Sequence, residues 1–289
     1  MSWEVLEFVG SDGFVEMYRV LFEGRARVLK RIRPDLVEDP TFRMRLGDEA
    51  RLTSRFDHPN LLRTVAAGID DDEPWLLVEE VEGKTLAATL AAGRMPATLA
   101  AWVVSNVLRG LDYAHHATDP SGRPLGIVHR DVCPSTVLVG WNGAVKLEGF
   151  ALARWAARAA WTDPGVIVGR LAYLSPEQVH AAPVDGRSDV FACGTLLHEM
   201  IAGRNPWRAK SDLATIDAIR RAHMPPLEDA PAALEEVVRR ALAADPADRW
   251  PTAAAFADAL DDLCRKSEPP PTPRTLTQHL RGLFDPERA

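Results

Sequence analysis

The chain has 289 residues, 46% of them hydrophobic and 26% charged, and a formal net charge of -7, a length that suits one large domain or two lobes sharing a cleft. The acidic balance and the lack of a long Lys/Arg run argue against nucleic acid as a partner. Three widely separated cysteines, Cys133, Cys193 and Cys264, fit neither a disulfide framework nor a zinc site and favour a reducing cytoplasm.

The N-terminus lacks a basic stretch followed by an apolar core, and no apolar run reaches the roughly 18 residues that span a bilayer, so neither a signal peptide nor a membrane partner is expected. Short apolar runs then predict three strands, Val5–Val9, Val15–Phe22 and Ala26–Ile32, with turns at Gly10–Gly13 and Phe22–Gly24. Phe42, Leu46, Glu49, Thr53 and Phe56 recur at spacings of four and three, which predicts a helix. Strands are predicted at Leu61–Ala66 and Trp75–Val81, which makes the first third a small sheet with one helix.

From Leu86 the pattern is mostly helical, beginning with a long helix through Leu99, Val103, Val107 and Leu111 that ends near His115. Val137–Val139 and Val145–Leu147 flank Gly140-Trp141-Asn142-Gly143, where Asn-Gly predicts a tight hairpin. Further helices are predicted at Arg187–Ala202, Ser211–Arg221, Ala232–Ala243 and Thr252–Cys264. Glu268–Pro273 reads as a stiff extended linker leading to an amphipathic segment with Leu276, Leu280, Leu283 and Phe284, which folds back on the chain or docks a partner.

His129-Arg130-Asp131, then Pro134, Val145-Lys146-Leu147 and Phe150, resembles a protein-kinase catalytic loop and the magnesium loop that follows it. The run Gly126–Val132 is similar to that of bacterial eukaryotic-like Ser/Thr kinases, and motifs in the family's order extend to about Cys264. The resemblance implies an α+β, bilobal protein-kinase-like fold, with a small N-lobe of sheet plus one helix at 1–82 and a mainly helical C-lobe at 83–264. Residues 265–289 are then the Pro-rich linker and C-terminal helix.

The resemblance also implies roles. Lys30 and Glu49 would pair and position ATP phosphates, although the same pair can merely clip helix to sheet. Asp131 matches the catalytic base, Gly10 the first glycine of the phosphate loop, Val81 the hinge backbone that meets adenine, and Leu138 the floor of the adenine pocket. Glu177, in Ser175-Pro176-Glu177, would pair with Arg249, and Asp189 would brace the catalytic-loop backbone.

The departures from the family pattern fall on the chemistry. The two positions that hold Mg²⁺ in kinases are Thr136 and Gly149, and neither side chain replaces the missing ligand atoms, so no metal site is expected. The phosphate loop reads Gly10-Ser11-Asp12-Gly13-Phe14-Val15, where Asp12 adds negative charge and Val15 a branched side chain. Val28 and Met17 crowd the adenine pocket, and Cys133 stands two residues after the catalytic Asp as a packed small residue. Glu148 could approach a cation or pair with Lys30 and lock the cleft shut.

Ala151–Thr162 has the composition of a helix, with Arg154 and Arg158 on one face and Leu152, Trp155 and Ala159 on another, and it ends on Trp161 and Thr162, a candidate phosphate acceptor for another kinase with Arg130 as the candidate receiver. Arg170 occupies the place of a Thr that seats substrate in relatives. The reading that follows is a pseudokinase, a regulatory or scaffolding protein without a bound cofactor whose partner is another protein, either an active kinase or its substrate. The alternatives are a weak or metal-independent Ser/Thr kinase, and a nucleotide sensor that binds ATP without Mg²⁺ and without phosphoryl transfer.

Overall fold

The computed structural model describes residues 2–70, 72–153, 170–228 and 230–285. Strands β1 (Glu4–Asp12), β2 (Val15–Phe22) and β3 (Arg25–Ile32) pair antiparallel in sequence, and β4 (Thr64–Asp70) and β5 (Glu73–Glu79) complete a five-stranded sheet of order β1-β2-β3-β5-β4. Helix α1 (Pro40–Thr53) starts where the Asp39 carboxylate accepts a hydrogen bond from the Thr41 backbone and Pro40 presets the first helical φ. It buries Phe42, Leu46 and Ala50 against Leu76 and Val78 of the sheet, forming the small-lobe core.

The sheet differs from the sequence reading in three places, each for a local reason. The turn expected at Gly10–Gly13 is a two-residue connection at Gly13 and Phe14, because Asp12 still pairs with Val15 and Gly13 adopts φ +59°. The apolar run from Leu61 to Ala66 is divided between two lobes. Leu62 N–H donates to the Leu147 carbonyl and Leu147 N–H to the Asn60 carbonyl, so only its second half joins the small-lobe sheet. The strand expected to reach Val81 leaves the ladder after Glu79, its last partner for Arg27. Phe56 lies beyond α1 and is buried from a turn rather than from the helix.

After β6 (Gly83–Thr85) come α2 (Leu86–Ala92) and α3 (Ala97–His115), which buries Leu99, Val103, Val107 and Leu111 as its periodicity requires. The hairpin β7 (Val137–Gly140) and β8 (Val145–Leu147) pairs with β6 in a second sheet. The large lobe continues with α4 (Pro176–Val179), α5 (Gly186–Ala202), α6 (Asp212–Arg221), α7 (Ala232–Ala241) and α8 (Ala253–Lys266). This small sheet and helix above a mainly helical lobe is the α+β, bilobal architecture expected. Among the described residues no helix is long and apolar enough to cross a membrane.

Helix α9 (Pro273–Phe284) folds back on the chain. Leu276 and Leu280 are fully buried in the large-lobe core, Thr277 Oγ1 donates to the Trp141 carbonyl at 3.0 Å, and the Phe284 ring meets Trp141 edge-on at 6.0 Å. An apolar stripe that sequence leaves open to a partner is therefore covered from within. The expected helix over Ala151–Thr162, with Arg154, Trp155, Arg158, Trp161 and Thr162, lies outside the described residues except at its start.

Candidate active site

The site lies between the β1–β2 turn, α1, and the loop His129–Thr136 that precedes β7. That loop is held from below by the fully buried Asp189 at the start of α5. Its carboxylate accepts hydrogen bonds from the His129 and Arg130 backbone N–H groups, both at 2.8 Å, and contacts His115 Nε2 at 2.7 Å. Burial works against the charge of Asp189, but these donors overcome it and hold its pKa below the usual carboxylate value. His129 is itself buried; its Nδ1 accepts from the Asp131 N–H, and its Nε2 lies 2.9 Å from the Glu148 carbonyl. Burial keeps it neutral, its pKa below that of a free imidazole. Phe150 packs between His129 (4.5 Å) and Phe56 (5.0 Å), which joins the loop to the segment after α1.

Lys30 on β3 is buried, and its Nζ lies 2.5 Å from Glu148 Oε2 just past β8. This decides between the two pairings that the sequence offers Lys30: among the described residues its ion pair is made with Glu148, as the alternative reading had it, and not with Glu49. Burial disfavours the lysine charge, but Glu148 and Glu49 together outweigh it and raise its pKa above the usual lysine value. Glu49 stays in the same buried space, where burial raises its carboxyl and Lys30 only partly opposes that.

Asp131 is reached by Arg170, whose Nη1 donates to Asp131 Oδ2. The other end of the same guanidinium donates to both oxygens of Asp12 at the end of β1, at 2.6 and 2.7 Å. Burial nevertheless pushes the Asp131 carboxyl up to about 6, with Arg170 opposing and Asp12 assisting. An acid whose pKa rises on folding favours the folded state at low pH, and that contribution is lost as the pH rises through the folded value. Asp131→Asn should abolish this component, so its unfolding free energy relative to the parent should rise from pH 4 to pH 7 by about 3 kcal/mol at most. Paired urea titrations at the two pH values check it.

Thr136 and Gly149 stand against each other. Gly149 has φ +89°, and a Cβ added there would come 3.1 Å from Thr136 Cγ2. The Thr136 hydroxyl is used within its own loop: it accepts from the Cys133 N–H at 3.1 Å and donates towards the Cys133 carbonyl at 3.0 Å. Above them Phe14 turns into the small-lobe core and stacks on Phe42 at 5.4 Å. Val28, Val81 and Leu138 are partly buried and each packs against that core, and Gly10 lies within β1 at φ +151°. The space left between Phe14, Val15, Met17, Lys30, Asp131 and Thr136 is a cavity of about 60 Å³. Cys133 is buried, and burial raises its thiol pKa, so it is a packing residue.

The protein kinase domain model matches residues 3–260 of the chain. The chain belongs to the protein kinase family. It is 34% identical over 291 residues to the tyrosine-protein kinase MasK of Myxococcus xanthus, covering 98% of this chain and 44% of MasK. It is 35% identical over 282 residues to the serine/threonine-protein kinase PknL of Mycobacterium tuberculosis, covering 94% of this chain and 69% of PknL. The crystal structure of the M. tuberculosis PknI kinase domain superposes with a TM-score of 0.67 at 27% identity, over 90% of this chain and 95% of that one. The chain thus spans less than half the length of MasK.

A protein kinase implies Mg²⁺ and a nucleoside triphosphate in this cleft. The side chains here do not fit the metal. Gly149 offers no ligand atom, the Thr136 hydroxyl is engaged, and the carboxylates of Glu148 and Asp131 are each held by a cation of the chain itself. Among the described residues no group of three or more His, Cys, Asp or Glu side chains could hold a metal ion. Arg170 was legible as a departure from the family pattern, but nothing in its surroundings in sequence pointed to the two carboxylates it joins.

Proposed function

We propose that this kinase homologue is a pseudokinase that acts through protein–protein contacts, with an active kinase or its substrate as the partner. The observation that carries the reading is the pairing of Gly149 with a self-satisfied Thr136 where phosphoryl transfer needs two cation ligands. One further feature supports it: Lys30 and Arg170, two of the cations that line the cleft, are paired with carboxylates of the chain. The landmarks retained, Asp189, Glu177 and Arg249, maintain the large lobe rather than the chemistry. A cytoplasmic location accords with this reading.

A second reading, a weak Ser/Thr kinase, is favoured by one specific arrangement: Lys30, Glu49 and Asp131 still line a common cavity. Nucleotide titration separates the two. With ATP at 100 times the Kd of a genuine site, the fold would gain about 2.7 kcal/mol. We expect no change in melting temperature with ATP, with or without Mg²⁺ or Mn²⁺, and no phosphate incorporation into a generic protein substrate. Incorporation that disappears in Asp131→Asn would establish the kinase reading. A nucleotide-dependent rise in melting temperature without incorporation would establish a nucleotide sensor.

A further inference from the structure

We propose that Arg170 is an electrostatic latch that closes the two lobes on each other by bridging Asp12 of the small lobe and Asp131 of the catalytic loop. The inference goes beyond the loss of catalysis and does not depend on it, since a closed latch could restrain an active or an inactive site.

Both ends of the bridge are fixed by other contacts. The β1–β2 turn is tied down beneath Asp12: Phe14 packs on Phe42, the Arg33 N–H donates to the Phe14 carbonyl at 2.9 Å, and Arg33 Nη1 donates to the Gly13 carbonyl at 3.1 Å. Asp131 sits on the loop braced by Asp189. One guanidinium spans the gap, forked onto Asp12 with one nitrogen and onto Asp131 with the other, the geometry for which arginine is suited and lysine is not. Arg170 is 22% exposed and Asp131 10%, so salt screens the inner contact less than it would a surface pair. The outer partner, Asp12, is 46% exposed, the end from which the bridge can be undone.

Burial pushes the Asp131 carboxyl up, Arg170 holds it down and Asp12 raises it, so without the arginine Asp131 takes up a proton and loses its attraction for the other lobe. Removing the arginine and removing Asp12 should therefore both release the lobes, since each breaks the same bridge.

The test measures the distance between spin labels on Cys introduced at Arg51 on α1 and Arg220 on α6, both at exposed positions, in a chain whose three native cysteines are buried. No nucleotide is present, so the result is independent of whether the cleft binds ATP. Arg170→Gln and Asp12→Asn should each shift the distance distribution to longer values. The double variant should open no further than Arg170→Gln, because both substitutions break the same bridge. Unchanged distributions in both single variants would overturn the latch, and so would a double variant more open than Arg170→Gln. If Arg170→Gln proves unfolded by circular dichroism, Asp12→Asn decides alone, and an unchanged distribution there overturns the proposal.

Discussion

Replacing Arg249 with Met is expected to cost about 3–5 kcal/mol of stability, the range for breaking a buried ion pair by removing one partner. Arg249 is 1% exposed overall, and its two terminal nitrogens donate to Glu177 at 2.7 and 2.8 Å. The same guanidinium satisfies the carbonyls of Ala243, Ala244 and Arg187, and Ser188 Oγ donates to Glu177 at 2.6 Å. Removing the arginine leaves a buried carboxylate with one hydroxyl donor and three carbonyls without their partner. The double variant Arg249→Met/Glu177→Gln should be less damaged than the single, because no unpaired charge is left behind. Urea denaturation of the three proteins measures it, and a loss below about 1 kcal/mol in Arg249→Met, the worth of a surface pair, would refute the assignment.

Lys30→Met should be destabilising by a similar amount, about 3–5 kcal/mol, because it removes the cation that pairs with Glu148 and offsets the buried carboxyl of Glu49. The effect distinguishes the role the structure gives this lysine from a role in phosphate binding alone. A lysine kept only to meet a ligand would cost stability when buried, and its removal would be neutral or helpful in the ligand-free protein. Here burial does oppose the Lys30 charge, but the two carboxylates reverse the balance and its pKa is raised. Adding Glu148→Gln to Lys30→Met should recover most of the loss. Denaturant titration of the double-mutant cycle gives the coupling directly. Equal stability of Lys30→Met and the parent would show that the contact with Glu148 is not holding the lobes together.

Much of the fold was legible because it depends on local periodicity and turn chemistry. Helix α3 follows from apolar positions four apart and the β7–β8 hairpin from Asn142-Gly143. The strand boundaries moved where a backbone group found a partner in the other lobe, as at Leu62 and Leu147, a pairing that local pattern does not encode. The helix α9 was readable as amphipathic, but only its docking onto Trp141 and the large-lobe core showed what its stripe meets.

The sequence by itself determined that position 149 offers no ligand atom, since a glycine has none in any fold, and through the kinase resemblance it marked Lys30, Glu49, Asp131, Asp189 and Arg249 as the charged framework. Tertiary structure decided how the charges of the cleft are paired. Lys30 takes Glu148, 118 residues away, in place of Glu49, and Arg170 joins Asp131 to Asp12, 158 residues from it. Ion pairing in a buried cleft depends on which oxygens lie within about 3 Å of a cation and how dry the space is, and only the folded chain specifies both.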